Sequence, residues 1–277
     1  MSPLGFADLF NMAKESAAHR ELAQTTQPAT SYANPVHAMM NAKYCRDQFI
    51  RVFRDTGRHL RRWDVFQDFI TLAANELDIA RIRSPENIER SRKICGRYDA
   101  ADLENMQMLF SLMVSALEAK FHDFLGTVFM ELELGSGDMG QYFTPYCVQY
   151  LMAKMLLPGT LNAIRREGIV TVSDPASGAG GMLIAYAECL LGADINPSML
   201  MFAHCTDIDP IAADMTFIQL SLLGIGGEVV TGNTLTLQCS RIRYTPVYYF
   251  NHFEERLNSQ RRILAMRDFI RGMSIAA

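Results

Sequence analysis

The sequence predicts an α/β protein, a doubly wound parallel sheet preceded by an all-helical segment. The first observation is an apolar, β-branched run at residues 168–172 that leads through a glycine-rich turn into an apolar helix. Such a run is typical of a buried parallel strand. The second is that strand-then-helix patterns recur from residue 201 and again from residue 228. Consecutive β-α units require parallel strands joined by right-handed crossovers.

The composition is that of a globular chain with one large or two modest domains. Of its 277 residues, 49% are hydrophobic, which is enough for a sizeable core. The net charge is −4, so contact with a polyanion would need local basic patches. The six cysteines lack C-x-x-C spacing, which predicts reduced thiols and a cytoplasmic protein without a metal site. The sequence contains neither an apolar run of transmembrane length nor a signal-peptide pattern, so no membrane association is expected.

The first half of the chain is predicted to be helical. A short helix is expected near residues 4–22, and apolar residues recur at helical spacing from residue 38 to residue 133. A glycine-rich hinge follows at residues 135–140. The predicted domains are therefore a helical domain at 1–139 and an α/β domain at 140–277.

The turn after the first strand organises the rest of the chain. It reads D-P-A-S-G-A-G-G from Asp174 to Gly181. Its glycines let the backbone approach a ligand closely, and the next helix offers unpaired N–H groups at its start. The spacing is not the dinucleotide-binding fingerprint, because Leu183 occupies the last glycine position. The absence of G-K-[ST] excludes a P-loop.

Polar residues flank this turn on both sides in the sequence. Upstream, Thr144 and Pro145 fit the start of an apolar helix that Pro158 would end. Downstream, Asp207 ends the second strand, where doubly wound sheets hold ribose hydroxyls. Asn233 follows the third strand.

Taken together, these stretches resemble the DNA adenine-N6 methyltransferases. The resemblance is to the modification subunit of type I restriction–modification systems and to short methylase-like proteins of mobile elements. Residues 140–145 resemble the entry into motif X, and residues 174–181 resemble motif I. Residues 207–209 and 232–235 resemble motifs II and III, so four motifs stand in the family's order.

The resemblance implies a shortened Rossmann-like methyltransferase domain that uses S-adenosylmethionine to methylate the exocyclic amine of a flipped adenine in DNA. By resemblance, Thr144 would hold the methionine end of the cofactor, Asp207 the ribose and Asn233 the adenine amine. The full set of implied cofactor-binding residues is Tyr142, Phe143, Thr144, Pro145, Asp174, Pro175, Ala176, Ser177, Gly178, Gly180, Gly181, Asp207, Ile208 and Asn233.

The chain departs from the family after the third motif. Family members carry the catalytic sequence [N/D/S]-P-P-[Y/F], but no Pro-Pro pair occurs here. Asn251 and Phe253 stand at the expected distance and are the candidate catalytic residues. The stretch around them, residues 244–253, fits an aromatic edge strand or loop with a polar end better than it fits the motif.

Two classes of function therefore stay open. One is the family's methyl transfer, and the other is a catalytically inactive relative that binds the cofactor, DNA or a restriction subunit. A small-molecule or RNA methyltransferase is a third class, which the motif X segment disfavours. Candidate partners are DNA, a specificity or modification subunit, and a second copy of this chain.

Overall fold

A computed structural model describes residues 41–134 and 143–275 of the chain. The helices that precede the sheet are α1 (Ala42–Asp55), α2 (Arg62–Leu77), α3 (Pro85–Cys95), α4 (Ala100–Ala119), α5 (Phe124–Glu131) and α6 (Tyr146–Glu167). The remaining elements are β1 (Val170–Asp174), α7 (Gly181–Leu191), α8 (Pro197–Leu200), β2 (Met201–Asp207), α9 (Pro210–Leu222), β3 (Gly226–Asn233), β4 (Gln238–Tyr244), α10 (Pro246–Phe250) and α11 (Phe253–Ile275). The helix predicted near residues 4–22 lies outside the described residues.

The sheet has the strand order β1-β2-β3-β4. The first three strands are parallel, which confirms the predicted α/β class with its preceding helices. The fourth strand is antiparallel to β3, with Asn233 opposite Gln238 and Glu228 opposite Tyr244. The carboxyl ends of β1, β2 and β3 therefore meet at one edge of the sheet, and β4 carries the chain back to the opposite edge.

The aromatic stretch at residues 244–250 is not an edge strand. The strand lies earlier, at Gln238–Tyr244, and Pro246 opens the short helix α10. The Thr245 hydroxyl accepts a hydrogen bond from Gly227 N at 2.9 Å and donates one to Ile225 O at 2.8 Å. This buried anchor ends β4, and the proline then favours a helical first turn.

Helix α6 is longer than the sequence predicted, because it continues through Pro158 to Glu167. Pro158 lies on the exposed side of the helix, where water can satisfy the carbonyl that loses its intrahelical bond. On the buried side, the Thr160 hydroxyl donates to Leu156 O and contacts the Tyr186 hydroxyl of α7. Packing against α7 thus outweighs the local cost of the proline.

The helices that precede the sheet share a large hydrophobic core with it, and a smaller cluster of Ile169, Phe202, Phe253 and Leu257 is separate. A single cluster of buried side chains extends from Cys45 in α1 to Val229 in β3. Helix α9 is buried along most of its length, because it packs on β2 and β3 with one side and on α2 with another. The division into two domains near residue 139 stays a prediction.

A buried ion cluster adds a second link between β4 and the helices. Arg243 is 4% exposed. Its guanidinium donates to Asp214 Oδ1 in α9 at 2.8 Å and to Asn75 Oδ1 in α2 at 2.9 Å, and it forms an ion pair of 3.2 Å with Asp78. These contacts fix β4 against two helices that are distant in sequence.

Candidate functional site

Three of the predicted cofactor-binding residues converge at the carboxyl edge of the parallel strands. Asp174 ends β1, Asp207 ends β2 and Asn233 ends β3. The strands are in direct register, since Asp174 pairs with Cys205 and Asp207 pairs with Thr231. This edge is where open α/β sheets bind ligands.

The glycine turn has a backbone that requires its glycines. Gly178 and Gly180 have φ values of +54° and +86°, in the left-handed region that favours glycine. Gly180 N donates to Ser177 O at 2.7 Å, and Ser177 N donates to Thr206 O at 3.0 Å. The turn is thus tied to the end of β2, and Gly180 is the N-cap of α7.

The contacts around the glycines are close. A Cβ built on Gly178 would lie 2.8 Å from the Phe143 ring, and one on Gly180 would lie 3.2 Å from Thr216. The space next to these glycines is therefore occupied by side chains of this protein. A residue with a side chain at either position would strain the turn through contact with Phe143 or Thr216, whether or not a ligand is bound.

Two side chains of α9 hydrogen-bond to carbonyl groups of the turn, and neither was predicted from the sequence. Thr216 Oγ1 donates to Gly178 O at 2.8 Å. The Gln219 amide donates to Ala179 O at 2.7 Å and to Asp123 Oδ1 at 2.8 Å, and its oxygen accepts Leu125 N at 3.0 Å. Gln219 therefore joins the helical segment to the glycine turn. The available signal was weak, because Thr216 and Gln219 are two of four polar residues, with Asp214 and Ser221, in a mostly apolar helix.

Asp207 shapes the turn through both of its carboxylate oxygens. Its Oδ2 accepts Gly178 N at 2.7 Å, and its Oδ1 accepts Asp209 N at 2.9 Å. Burial raises the pKa of Asp207, the two amide donors lower it, and the neighbouring Asp209 and Asp174 carboxylates raise it further. Each carboxylate oxygen keeps a second lone pair, so the group can still accept hydrogen bonds from a ligand.

The remaining residues of the turn have structural partners. Asp174 Oδ1 accepts Ala176 N at 3.1 Å, and burial raises the pKa of Asp174. Pro175 O accepts the Thr234 hydroxyl at 2.6 Å, which ties the turn to the segment after β3.

The segment that precedes α6 lies beside the glycine turn. The Phe143 ring touches Gly178 and packs on Phe129 with centroids 5.1 Å apart. Thr144 and Pro145 are exposed, and Tyr142 lies outside the described residues. Phe143, Thr144 and Pro145 also line a cavity of about 430 Å³ at the start of α6. The structure thus brings Phe143 next to Gly178, which follows it by 35 residues in the sequence.

Residues 128–246 match the model of the N-6 DNA Methylase family. This segment belongs to the N-6 DNA methylase family. A crystal structure assigned to the class I S-adenosylmethionine-dependent methyltransferases, from Listeria monocytogenes, aligns at 14% identity with a TM-score of 0.38. The alignment covers 66% of this chain and 52% of that chain, so this chain spans about half the length of that relative. No curated protein matches this chain at a significant level.

Motif III of the N-6 DNA methylase segment is built around Asn233. Its Oδ1 accepts Leu235 N at 2.9 Å and Thr236 N at 3.2 Å, so the side chain shapes the turn that leads into β4. Ile208, which follows Asp207, is 68% exposed at the same edge. An exposed isoleucine beside a carboxylate offers an apolar surface for a planar ring.

The structure does not bring Asn251 and Phe253 to this edge. They follow β4, which has already reversed direction, so they lie at the amino-terminal edge of the sheet. Phe253 is fully buried, packs on Phe202 with centroids 5.6 Å apart, and faces Gly226 at the start of β3. Asn251 Nδ2 donates to Ser198 O at 2.7 Å. Both side chains have structural roles here, which argues against the predicted catalytic role.

No helix within residues 41–134 and 143–275 is both long and apolar enough to cross a membrane.

Proposed function

We propose that this chain binds S-adenosylmethionine at the carboxyl edge of β1, β2 and β3 and acts as a DNA adenine-N6 methyltransferase. The observation that carries the proposal is the junction of three segments at this edge. The glycine turn, Asp207 and the Phe143–Pro145 segment meet there, and all lie within the segment that belongs to the N-6 DNA methylase family.

The residues present fit this cofactor. The first-turn amides of α7 can receive the carboxylate of its methionine part, since a helix start carries unpaired N–H groups and partial positive charge. Asp207 can accept the ribose hydroxyls, and Ile208 can cover one face of the adenine. Thr144 and Pro145, exposed at the start of α6, border the methionine end.

When bound, S-adenosylmethionine supplies a methyl group on a positively charged sulfur. The protein's contribution to such a displacement is chiefly to hold the acceptor amine in line with that methyl group. An adenine in duplex DNA has to be flipped out of the helix to reach the site. DNA is accordingly the proposed substrate, and a cytoplasmic location the proposed setting.

A second candidate function is that of a catalytically inactive relative that binds the cofactor, DNA or a restriction subunit. The burial of Phe253 at the opposite edge favours it, because the residues that should stack and polarise the base are absent from the described part of the site. A specificity subunit, a modification subunit or a second copy of this chain would be its partner.

Two measurements test these proposals. Titration calorimetry should show binding of S-adenosylhomocysteine, the demethylated product, that Gly180→Val abolishes because Thr216 and the left-handed φ leave no room for a side chain. Asp207→Ala should weaken binding about 10- to 100-fold, the loss expected for hydrogen bonds to a charged group. Thr171→Val, an exposed change on β1, is the matched control. No binding to wild type at millimolar ligand would refute the cofactor proposal.

The second measurement is transfer of tritiated methyl groups to unmethylated single- and double-stranded DNA. Incorporation that Asp207→Ala reduces would support the methyltransferase. Measurable cofactor binding without any incorporation would support the inactive alternative.

A further inference from the structure

One buried side-chain oxygen beside the glycine turn has no hydrogen-bond partner in the described part of the chain. Gln149, in the first turns of α6, is 5% exposed, and its Oε1 accepts no hydrogen bond. Buried side-chain oxygens are nearly always paired, because losing hydration without a replacement bond costs free energy. An unpaired one at this position requires an explanation.

The location of the Gln149 amide explains why its oxygen is unpaired. A Cβ built on Gly181 would lie 2.4 Å from Gln149 Oε1 and 2.6 Å from Nε2, so the amide rests against the first residue of α7. Gly181 closes the glycine turn of motif I. Only a glycine leaves room for the amide at this point, which places a hydrogen-bond acceptor next to the helix start.

We propose that Gln149 is a cofactor-binding residue that recognises the amino-acid end of the cofactor. This inference rests on the proposed function. An unpaired carbonyl oxygen needs a donor, and the ammonium group is the cationic donor of the cofactor's methionine part. The first-turn amides of α7 attract the carboxylate of the amino acid, and Gln149 Oε1 accepts a hydrogen bond from its ammonium group. The ribose and adenine donors lie at the other end of the molecule, towards Asp207.

The test compares two ligands on one variant. S-adenosylhomocysteine carries the amino-acid end, whereas 5′-methylthioadenosine has the same adenosine and sulfur without it. Gln149→Met keeps the length of the side chain and removes its hydrogen bonds. We expect S-adenosylhomocysteine to bind about 10- to 100-fold more weakly and 5′-methylthioadenosine to bind as it does to wild type. Cys147→Ser, an exposed change in the same turn, should alter neither affinity.

The stability of the unliganded protein gives a second readout. Replacing an unpaired buried amide by an apolar side chain of similar shape should leave the melting temperature unchanged or higher. A purely structural amide would instead lower the melting temperature when it is removed. Gln149→Leu serves as a second variant with the same expectations, should the longer methionine disturb packing against Gly181.

Three results would overturn the inference. They are equal weakening of both ligands, unchanged binding of S-adenosylhomocysteine, and loss of stability in both variants. If wild type binds neither ligand, the proposed function fails and this inference falls with it. If wild type binds both ligands but Gln149→Met does not selectively weaken S-adenosylhomocysteine, the inference fails and the proposed function stands.

Discussion

Gln219 is the most informative position at which to test how the site is held together. Its fully buried amide makes three hydrogen bonds, to Asp123 Oδ1, Ala179 O and Leu125 N. Gln219→Leu keeps most of the volume but leaves the Ala179 carbonyl and the Leu125 amide without partners. Each orphaned group costs about 1–3 kcal/mol. The variant should therefore lose roughly 2–6 kcal/mol of a total stability of about 5–15 kcal/mol.

Urea denaturation, followed by circular dichroism, measures this loss directly. Gln238→Leu is the matched control, because Gln238 is exposed on β4 and should change stability by less than about 0.5 kcal/mol. If Gln219→Leu does not fold, Thr216→Val gives a milder version, since it removes the bond to Gly178 O at 2.8 Å and a longer one to Ser177 Oγ at 3.3 Å. Equal stability of the Gln219 and Gln238 variants would refute the argument that α9 holds the glycine turn.

Three further predictions concern stability and pH. Arg243→Met should destabilise the protein by about 3–5 kcal/mol in urea denaturation, because buried Asp78 loses its ion-pair partner and buried Asp214 keeps Arg241 but loses its second arginine; a change below about 1 kcal/mol would contradict this. Phe253→Ala should lower the free energy of unfolding by about 3–5 kcal/mol, because it leaves a cavity in the core. Calorimetry under conditions where the variant stays folded should show unchanged S-adenosylhomocysteine affinity; a loss of affinity without a loss of stability would show that Phe253 belongs to the binding site. Because the pKa of Asp207 is raised, the carboxylate is present above that pKa and is lost as pH falls through it. Cofactor affinity should therefore start to fall at a pH above the ordinary aspartate value of about 4, and Asp207→Asn should flatten the profile, whereas an equally steep profile in that variant would assign the effect to another group.

The sequence by itself determined the local features of the site. The β-branched run before Asp174, the left-handed glycines at 178 and 180, and the helix that follows are set by residue type and near neighbours. The order of strands and helices then required parallel pairing of β1, β2 and β3. For this reason the strand-end carboxylates and the motif I turn could be predicted as neighbours.

The tertiary structure alone decided what lies far apart in sequence. Asn251 and Phe253 stand at the family's expected spacing, yet β4 pairs antiparallel with β3 and carries them to the opposite edge. Strand direction depends on the partner strand, so spacing along the chain could not reveal it. In the same way, Gln149 and Gln219 read as ordinary helix residues until packing sets one against Gly181 and the other against Ala179 and Asp123. The Gln219–Asp123 hydrogen bond joins residues 96 positions apart, so it depends on how whole helices pack, which no local pattern encodes.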